Sequence, residues 1–185
     1  LEGGGRLFLA ADPRLDPRQT FMTADDPLRV YLADSFGLAL RDDLVVDESS
    51  SFQDPINVIS GEVVPHETTA RLVDGNPVAF FGSRSIEVIP LEDQPETRAG
   101  RTPVILTTAN AYGETDLEAI WDQAAYRRDE ADLAGPLVLA AVAQNIDTDA
   151  RVVLAGDGDF IRNAQIGYLA NRFFYTDALG WLTQF

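Results

Sequence analysis

The chain has 185 residues, of which 45% are hydrophobic, enough for one folded domain with a sizeable core. Its formal charge of −16 comes from thirty acidic residues spread along the sequence, a balance that disfavours binding to nucleic-acid backbones and to anionic membrane surfaces. The absence of cysteine excludes disulfides, thiolate metal ligands and a cysteine nucleophile, and all fourteen basic residues are arginine.

The first half of the chain alternates short apolar runs with turn residues. Residues 6–11 predict a buried strand that ends in a loop beginning at Asp12. A helix is predicted between an N-cap at Asp26 and a C-cap at Gly37, because apolar residues repeat at helical spacing between them. Further strands are predicted at residues 43–49, 56–64, 78–90 and 102–110, with a short helix at 68–72 and turns at 91–101.

The second half begins with a polar stretch, residues 113–134, and ends with the strongest apolar patterns. Helical spacing in the polar stretch predicts a short surface helix through Leu117, Ile120, Trp121 and Ala124. Two continuous apolar strands follow at residues 135–144 and 151–157, typical of a sheet covered on both faces and linked closely enough for a hairpin. A final helix at 171–185 carries one apolar stripe: Phe174, Ala178, Trp181, Leu182 and Phe185.

Together these elements predict a single α/β domain over residues 1–185, with layers around a mixed sheet. The longest apolar run, residues 137–143, is much shorter than the roughly twenty residues of a membrane span. We therefore expect no direct membrane insertion by this segment.

The stretch VVLAGDGDFI, residues 152–161, passes from an apolar strand into glycines and aspartates. A dinucleotide fingerprint needs glycine where Ile161 stands, an EF-hand needs more oxygen ligands after Asp159, and a nucleophile elbow needs serine in place of Gly158. The favoured interpretation is that Asp157 or Asp159 caps the next turn. Because strand ends in open α/β sheets often line a crevice, Asp157, Asp159 and Asn163 remain candidates for ligand contacts.

The other polar candidates each have a simpler structural interpretation. His66 is the sole histidine, so it cannot build a multi-histidine zinc site, and a local hydrogen-bonding role is favoured over a general base. Asn110, Tyr112 and Glu114 follow a strand and could contact a sugar or peptide, although an ordinary turn is favoured. A solvated side chain is expected for Arg84. The sequence predicts no catalytic residue, bound metal or cofactor.

Several segments, taken in order, carry a family resemblance: GGGRLFLAADP, FGLALRDDLVVDESS, PHETTARL, TPVILTTAN, GPLVLAAVAQ, RVVLAGDGDF with Asn163, and NRFFYTDALGWL. Together they resemble the auxiliary domain of GldG-type ABC transport proteins, the gliding-motility-associated group, over nearly the whole chain. The turn in RVVLAGDGDF is the most distinctive of them. One departure is that Glu67 and Thr68 follow His66, where the family usually has proline and an aliphatic residue.

The resemblance implies an α/β fold related to flavodoxin-like and class I glutamine-amidotransferase-like domains. It also implies ABC permease and ATPase subunits as partners, and a position on the extracytoplasmic face of the cell membrane with anchors in other segments. It supplies no established catalytic residues, and the amidotransferase cysteine is absent here. The hypothesis is therefore a non-catalytic auxiliary or binding domain that acts through protein contacts or a small polar ligand.

Two alternatives stay open at this point. The first is a hydrolase-like enzyme that uses His66 with a serine, or an Asp157/Asp159 metal site. The second concerns assembly: the abrupt LEGGG opening indicates a domain cut from a longer membrane-associated protein, which could expose a sheet edge. A homodimer would cover such an edge.

Overall fold

The structure is a computed structural model, and it describes all residues except Glu2, Pro17, Asp74, Ala124, Ala125 and Phe185. The helices are α1 (Pro27–Phe36), α2 (Leu117–Gln123) and α3 (Asn171–Thr183). The strands are β1 (Arg6–Ala10), β2 (Leu38–Leu40), β3 (Leu44–Val46), β4 (Ser51–Phe52), β5 (Asp54–Ile59), β6 (Glu62–Val63), β7 (Ala79–Phe81), β8 (Ile86–Val88), β9 (Ala99–Leu106), β10 (Tyr112–Glu114), β11 (Leu133–Ala134), β12 (Val138–Asn145) and β13 (Arg151–Ala155).

The largest sheet is mixed, as the sequence predicted. β1 runs parallel to β13, and β12 runs antiparallel to β13 on one side and to β9 on the other. β6 extends the sheet beyond β9, while β8 joins β12 at Val138 and also pairs with β2. Two smaller sheets, β11–β10–β3 and β4–β5–β7, complete the α/β fold. The antiparallel pairing of β12 with β13 confirms the predicted hairpin.

Both faces of the β12–β13 hairpin are covered, which explains why its two strands read as continuous apolar runs. Val153 lies in one buried cluster with Phe174 of α3, while Leu154 lies in the other with Leu32 of α1. Each such side chain contributes about 1.5–3 kcal/mol through burial. The two helices therefore hold β13 between them and fix where its end emerges.

The predicted caps of α1 are confirmed, because Asp26 accepts a hydrogen bond from the Leu28 amide and Gly37 adopts the left-handed conformation, with φ of 64°. In α3 the predicted apolar stripe is buried at Phe174, Ala178, Trp181 and Leu182. Two residues assigned to the helical patterns, Ala124 and Phe185, lie outside the described residues. None of the described helices is both long and apolar enough to cross a bilayer.

Several predicted elements are shorter or divided in the structure. The strand predicted at 43–49 stops at Val46, because the buried Asp47 carboxylate accepts hydrogen bonds from the Ser49 and Ser50 amides and turns the chain. The strand at 78–90 divides into β7 and β8 around Gly82, whose φ is 76°. The strand at 56–64 divides into β5 and β6, the helix at 68–72 is a 3-10 turn over Glu67–Thr69, and the polar stretch holds α2 between β10 and β11.

Candidate functional site at the ends of the parallel strands

The parallel pairing of β1 with β13 brings together the loops that follow the two strands. Asp12 lies two residues after β1, and Asp157 lies two residues after β13. With Asp159 they form a three-carboxylate group in which one oxygen of each residue lies within 4.8 Å of the others. Asp157 is buried, Asp159 is half-buried and Asp12 is exposed. The group therefore runs from a buried to an exposed carboxylate at the carboxyl ends of the strands, the position where ligand contacts were expected.

Both oxygens of Asp157 already accept hydrogen bonds from the backbone. Oδ2 accepts the Phe81 amide at 2.6 Å, and Oδ1 accepts the Asp159 amide at 2.6 Å. Asp12 accepts the amide of Gly158 between them. The three-carboxylate group thus shapes the turn itself. The N-cap of the 3-10 turn over Asp159–Ile161 is Gly158, with no side-chain cap, so the favoured capping interpretation holds only in that Asp157 accepts the amide of Asp159, the first residue of that turn.

Burial raises the pKa of Asp157 to about 7. The two backbone N–H donors to Asp157 oppose this shift, whereas the nearby negative charges of Asp12 and Asp159 add to it. The carboxyl group therefore exchanges its proton close to neutral pH. Its titration couples the charge at the strand ends to the stability of the turn.

The third sequence candidate of this region, Asn163, is exposed and does not belong to the three-carboxylate group. Within the described part of the chain its side chain makes no hydrogen bond. Asp159 pairs instead with Arg162, with 2.9 Å between their charged atoms. A cation entering here would have to compete with that ion pair and with the two backbone donors to Asp157.

Gly156, the first glycine of the turn, lies where the chain after β13 passes very close to another backbone segment. A Cβ atom added at Gly156 would lie 1.9 Å from the backbone oxygen of Arg84, and Gly156 accepts the Arg84 amide at 2.8 Å. No side chain fits between two backbones at that distance. The glycine is therefore needed for the close approach of β13 to the segment before β8, independently of any ligand.

The expectation of a solvated Arg84 is wrong, because this side chain is fully buried. Its guanidinium donates to the carbonyl oxygen of Arg41 at 2.6 Å and pairs with the carboxylate of Asp42. Asp42 also forms an ion pair with Arg29, with 2.9 Å between the guanidinium nitrogen and the carboxylate oxygen. The two arginines share one carboxylate, so the buried charge is compensated by partners far away in sequence.

Among the described residues, the hydroxyl that the His66 ring contacts is that of Thr68. The Nδ1 of His66 accepts the Thr68 amide at 3.1 Å and lies 3.0 Å from the Thr68 hydroxyl, which belongs to a fully buried residue. The imidazole packs edge-on against Trp181, and burial lowers the pKa of His66. These contacts match the local hydrogen-bonding role favoured from the sequence.

The remaining sequence candidates, Asn110 and Tyr112, line a different depression, a pocket of about 490 Å³. None of its lining residues belongs to the three-carboxylate group. Asn110 is exposed, whereas Tyr112 is largely buried and carries the guanidinium of Arg128 above its ring, 5.8 Å from the centroid. The structure therefore separates the predicted ligand contacts into two places.

Comparison with known proteins finds similarity among solved structures. No protein-family model matches the chain, and no curated protein matches it. Among solved structures, the mmIFT52 N-terminal domain is similar, with a TM-score of 0.65 and 11% sequence identity. The two share a fold. The similarity covers 98% of this chain and 66% of the mmIFT52 chain, so this chain spans less than two thirds of its neighbour's length.

Several residues of these sites were not singled out from the sequence. Asp12 was described only as the start of a loop, because the sequence does not reveal that β1 pairs with β13. The pocket contains five further lining residues: Glu48, Ser49, Tyr126, Arg127 and Arg128. One available signal was the Arg127-Arg128 pair, two adjacent cations in a chain with thirty acidic residues.

Proposed function

We propose that this domain is a non-catalytic auxiliary module of an ABC-type transport system, acting through contacts with the permease and ATPase subunits or with a small ligand. It would lie on the extracytoplasmic face of the cell membrane, held there by segments outside this sequence. The support is the ordered series of segments that resembles GldG-type proteins. The mmIFT52 likeness concerns the fold alone and leaves this assignment as our proposal.

One observation carries the non-catalytic part of the proposal: polar side chains of those segments form hydrogen bonds with the backbone. Asp47 holds the turn after β3, His66 caps a 3-10 turn and Asp157 accepts the Asp159 amide in the turn after β13. Asn171 bonds both to the amide of Ala79 and to its carbonyl oxygen. These groups are occupied in maintaining the fold, which favours a scaffold that presents a binding surface.

The finer kinship with flavodoxin-like and class I glutamine-amidotransferase-like domains belongs to the same proposal. In its favour are the parallel pair β1–β13 and the helices α1 and α3 that pack against the two faces of the hairpin. Against it are the antiparallel strands β12 and β9, because doubly wound sheets of that kind are mostly parallel.

Affinity purification tests the transport assignment. The parent protein would be tagged and purified from detergent-solubilised membranes of the native host, alongside a variant that lacks only residues 1–185. We expect ABC permease and ATPase subunits to copurify with the intact protein, and to be depleted with the deletion variant. Equal recovery of those subunits with both proteins would contradict a partner role for this domain.

The alternative, a hydrolase-like enzyme, makes a different prediction. Calorimetric titration with Ca²⁺, Mg²⁺ and Mn²⁺ separates the two, because a metal-dependent hydrolase needs an ion held by Asp157 and Asp159. We expect no heat of binding at millimolar concentrations. Binding that disappears in the Asp159→Asn variant would favour the enzyme.

A further inference from the structure

The pocket that contains Asn110 and Tyr112 is built from three segments far apart in sequence. They are the turn after β3, the connection from β9 into β10, and the loop after α2. Its volume of about 490 Å³ lies within the roughly 300–1,000 Å³ typical of small-molecule sites. A ligand of modest size would touch all three segments at once.

Two adjacent arginines give this pocket its chemical character. Arg127 and Arg128 are both exposed, and within the described residues neither side chain forms an ion pair or a hydrogen bond. Most other exposed arginines form ion pairs, as Arg98 does with Asp147, and Arg172 is the exception among the described residues. On a protein of charge −16, these two guanidiniums are the cationic groups of the pocket lining, which also holds the carboxylate of Glu48, and the carboxylates of Glu114 and Asp132 lie near Tyr112.

The walls of the pocket are held in place by buried carboxylates. Glu114, only 4% exposed, accepts a hydrogen bond from the Arg127 amide at 3.0 Å and so links the loop after α2 to β10. Asp47 accepts both the Ser49 hydroxyl at 2.7 Å and the Thr108 hydroxyl at 2.8 Å, which joins two of the three segments. Because the walls are fixed before a ligand arrives, less ordering entropy is lost on binding.

Tyr126, in the loop after α2, adds another fixed contact to the pocket walls. Its hydroxyl donates to Asp54 at 2.6 Å, and that hydrogen bond, together with burial, raises the pKa of Tyr126 to about 12. The phenol therefore stays protonated and anchored. The polar groups left for a ligand are the two guanidiniums, the amide of Asn110 and the carboxylate of Glu48.

We propose that this pocket binds a small organic acid, whose carboxylate pairs with Arg127 and Arg128 and whose hydroxyl or ammonium group donates to Glu48. Arginine presents a planar fork of donors that matches a carboxylate. A phosphate carries the same recognition chemistry with more negative charge, which Glu48 and the acidic surface disfavour. The pocket thus takes a hydroxy acid or an amino acid, a ligand class that goes beyond the proposed transport role.

Calorimetric and thermal-shift titrations of the whole chain test this assignment. The probes are lactate, malate, galacturonate, alanine and glutamate, each beside its methyl ester, together with inorganic phosphate. We expect at least one acid to bind at millimolar concentrations while its ester binds at least about tenfold more weakly, the loss expected when a charge-assisted hydrogen bond is removed. Preference among the probes then distinguishes amino acids from hydroxy acids.

Matched variants locate the binding. Arg127→Gln/Arg128→Gln should weaken the best acid at least tenfold, whereas Arg98→Gln/Arg172→Gln, which removes the same charge from exposed positions elsewhere, should not. The proposal is overturned if no probe shows carboxylate-dependent binding, if phosphate alone binds, or if both double variants lose affinity equally. Copurification of the transport subunits does not depend on this ligand, so the two proposals fail separately.

Discussion

Asp157 shows how one residue can determine both the shape and the pH response of a turn. Its pKa in the folded state, about 7, lies above the value of about 3.9 for an unfolded aspartate. The folded protein therefore holds this proton more tightly, so the stabilisation is complete below the unfolded pKa and is lost as pH rises towards 7. This group therefore contributes most to the stability of the fold when Asp157 is neutral.

The free energy of unfolding should accordingly fall between about pH 4 and pH 7, by up to about 1.4 kcal/mol per pH unit from this group. Asp157→Asn removes the titration, so its slope should be flatter than that of the wild type. Its stability at low pH should also drop, because an amide has one acceptor for two backbone donors. Urea unfolding across this pH range measures both effects.

The control for this experiment is Asp122→Asn, which removes a carboxylate from an exposed position on α2. That variant should keep the wild-type slope. If Asp157→Asn and the wild type show parallel pH profiles, the buried carboxyl group does not titrate near neutrality.

Other residues show the limit of inference from local sequence. His66 and the caps at Asp26 and Gly37 were predicted correctly, because caps depend on neighbours a few residues away. Arg84 was not, since its burial depends on Asp42 and on the carbonyl oxygen of Arg41, which the sequence does not place beside it. Long charged side chains can be buried only with such partners, so their environment is a tertiary property.

At the level of elements, the exit from β13 depends on Gly156. A methyl group there would meet the Arg84 carbonyl oxygen at 1.9 Å, and a shift that relieves this contact would disturb the hydrogen bond from the Arg84 amide to Gly156. We expect Gly156→Ala to destabilise the fold by about 3 kcal/mol or more, which corresponds to a fall in Tm of roughly 10 °C. Thermal unfolding followed by circular dichroism measures it.

The matched control lies in the segment between the turn and α3. A Cβ atom added at Gly167 meets nothing within 4 Å, so Gly167→Ala should change Tm little. Equal Tm values for the two variants would show that the close approach at Gly156 is not required.

Elements were predicted best where apolar periodicity was long and caps were present. The helices α1 and α3 and the β12–β13 hairpin met those conditions. Short strands were misjudged where a buried carboxylate intervened, as Asp47 does after β3. Hydrophobic pattern locates buried segments, but side-chain hydrogen bonds decide where a strand ends.

For the whole molecule, the order of helices and strands along the chain predicted the layered α/β architecture but not which strands pair. The mixed sheet followed from the sequence of elements, whereas the parallel neighbourhood of β1 and β13 did not. That pairing creates the three-carboxylate group with Asp12. The sequence predicted two residues of the pocket, Asn110 and Tyr112. It did not predict the two lining arginines, because their position depends on the hydrogen bond from the Arg127 amide to Glu114 of β10.

The position of β1 at one end of the main sheet offers a route to the homodimer that we propose as a hypothesis from the sequence. Among the described strands β1 pairs with β13 alone, so its outer edge is open to a second copy. With a charge of −16 on each chain, repulsion opposes a homodimer, and salt should therefore favour it. Light scattering over a concentration series is expected to show a dimer fraction that rises with salt. A monomer at every concentration and salt level would exclude pairing through β1.

We propose that this domain binds its ligands and does not transform them. The most direct test is an assay of the purified chain with chromogenic esters, phosphoesters and glycosides, beside His66→Gln and Asp157→Asn variants shown to be folded by circular dichroism. We predict no hydrolysis above the buffer rate for any of the three proteins. Turnover by the wild type that disappears in either folded variant would contradict the account.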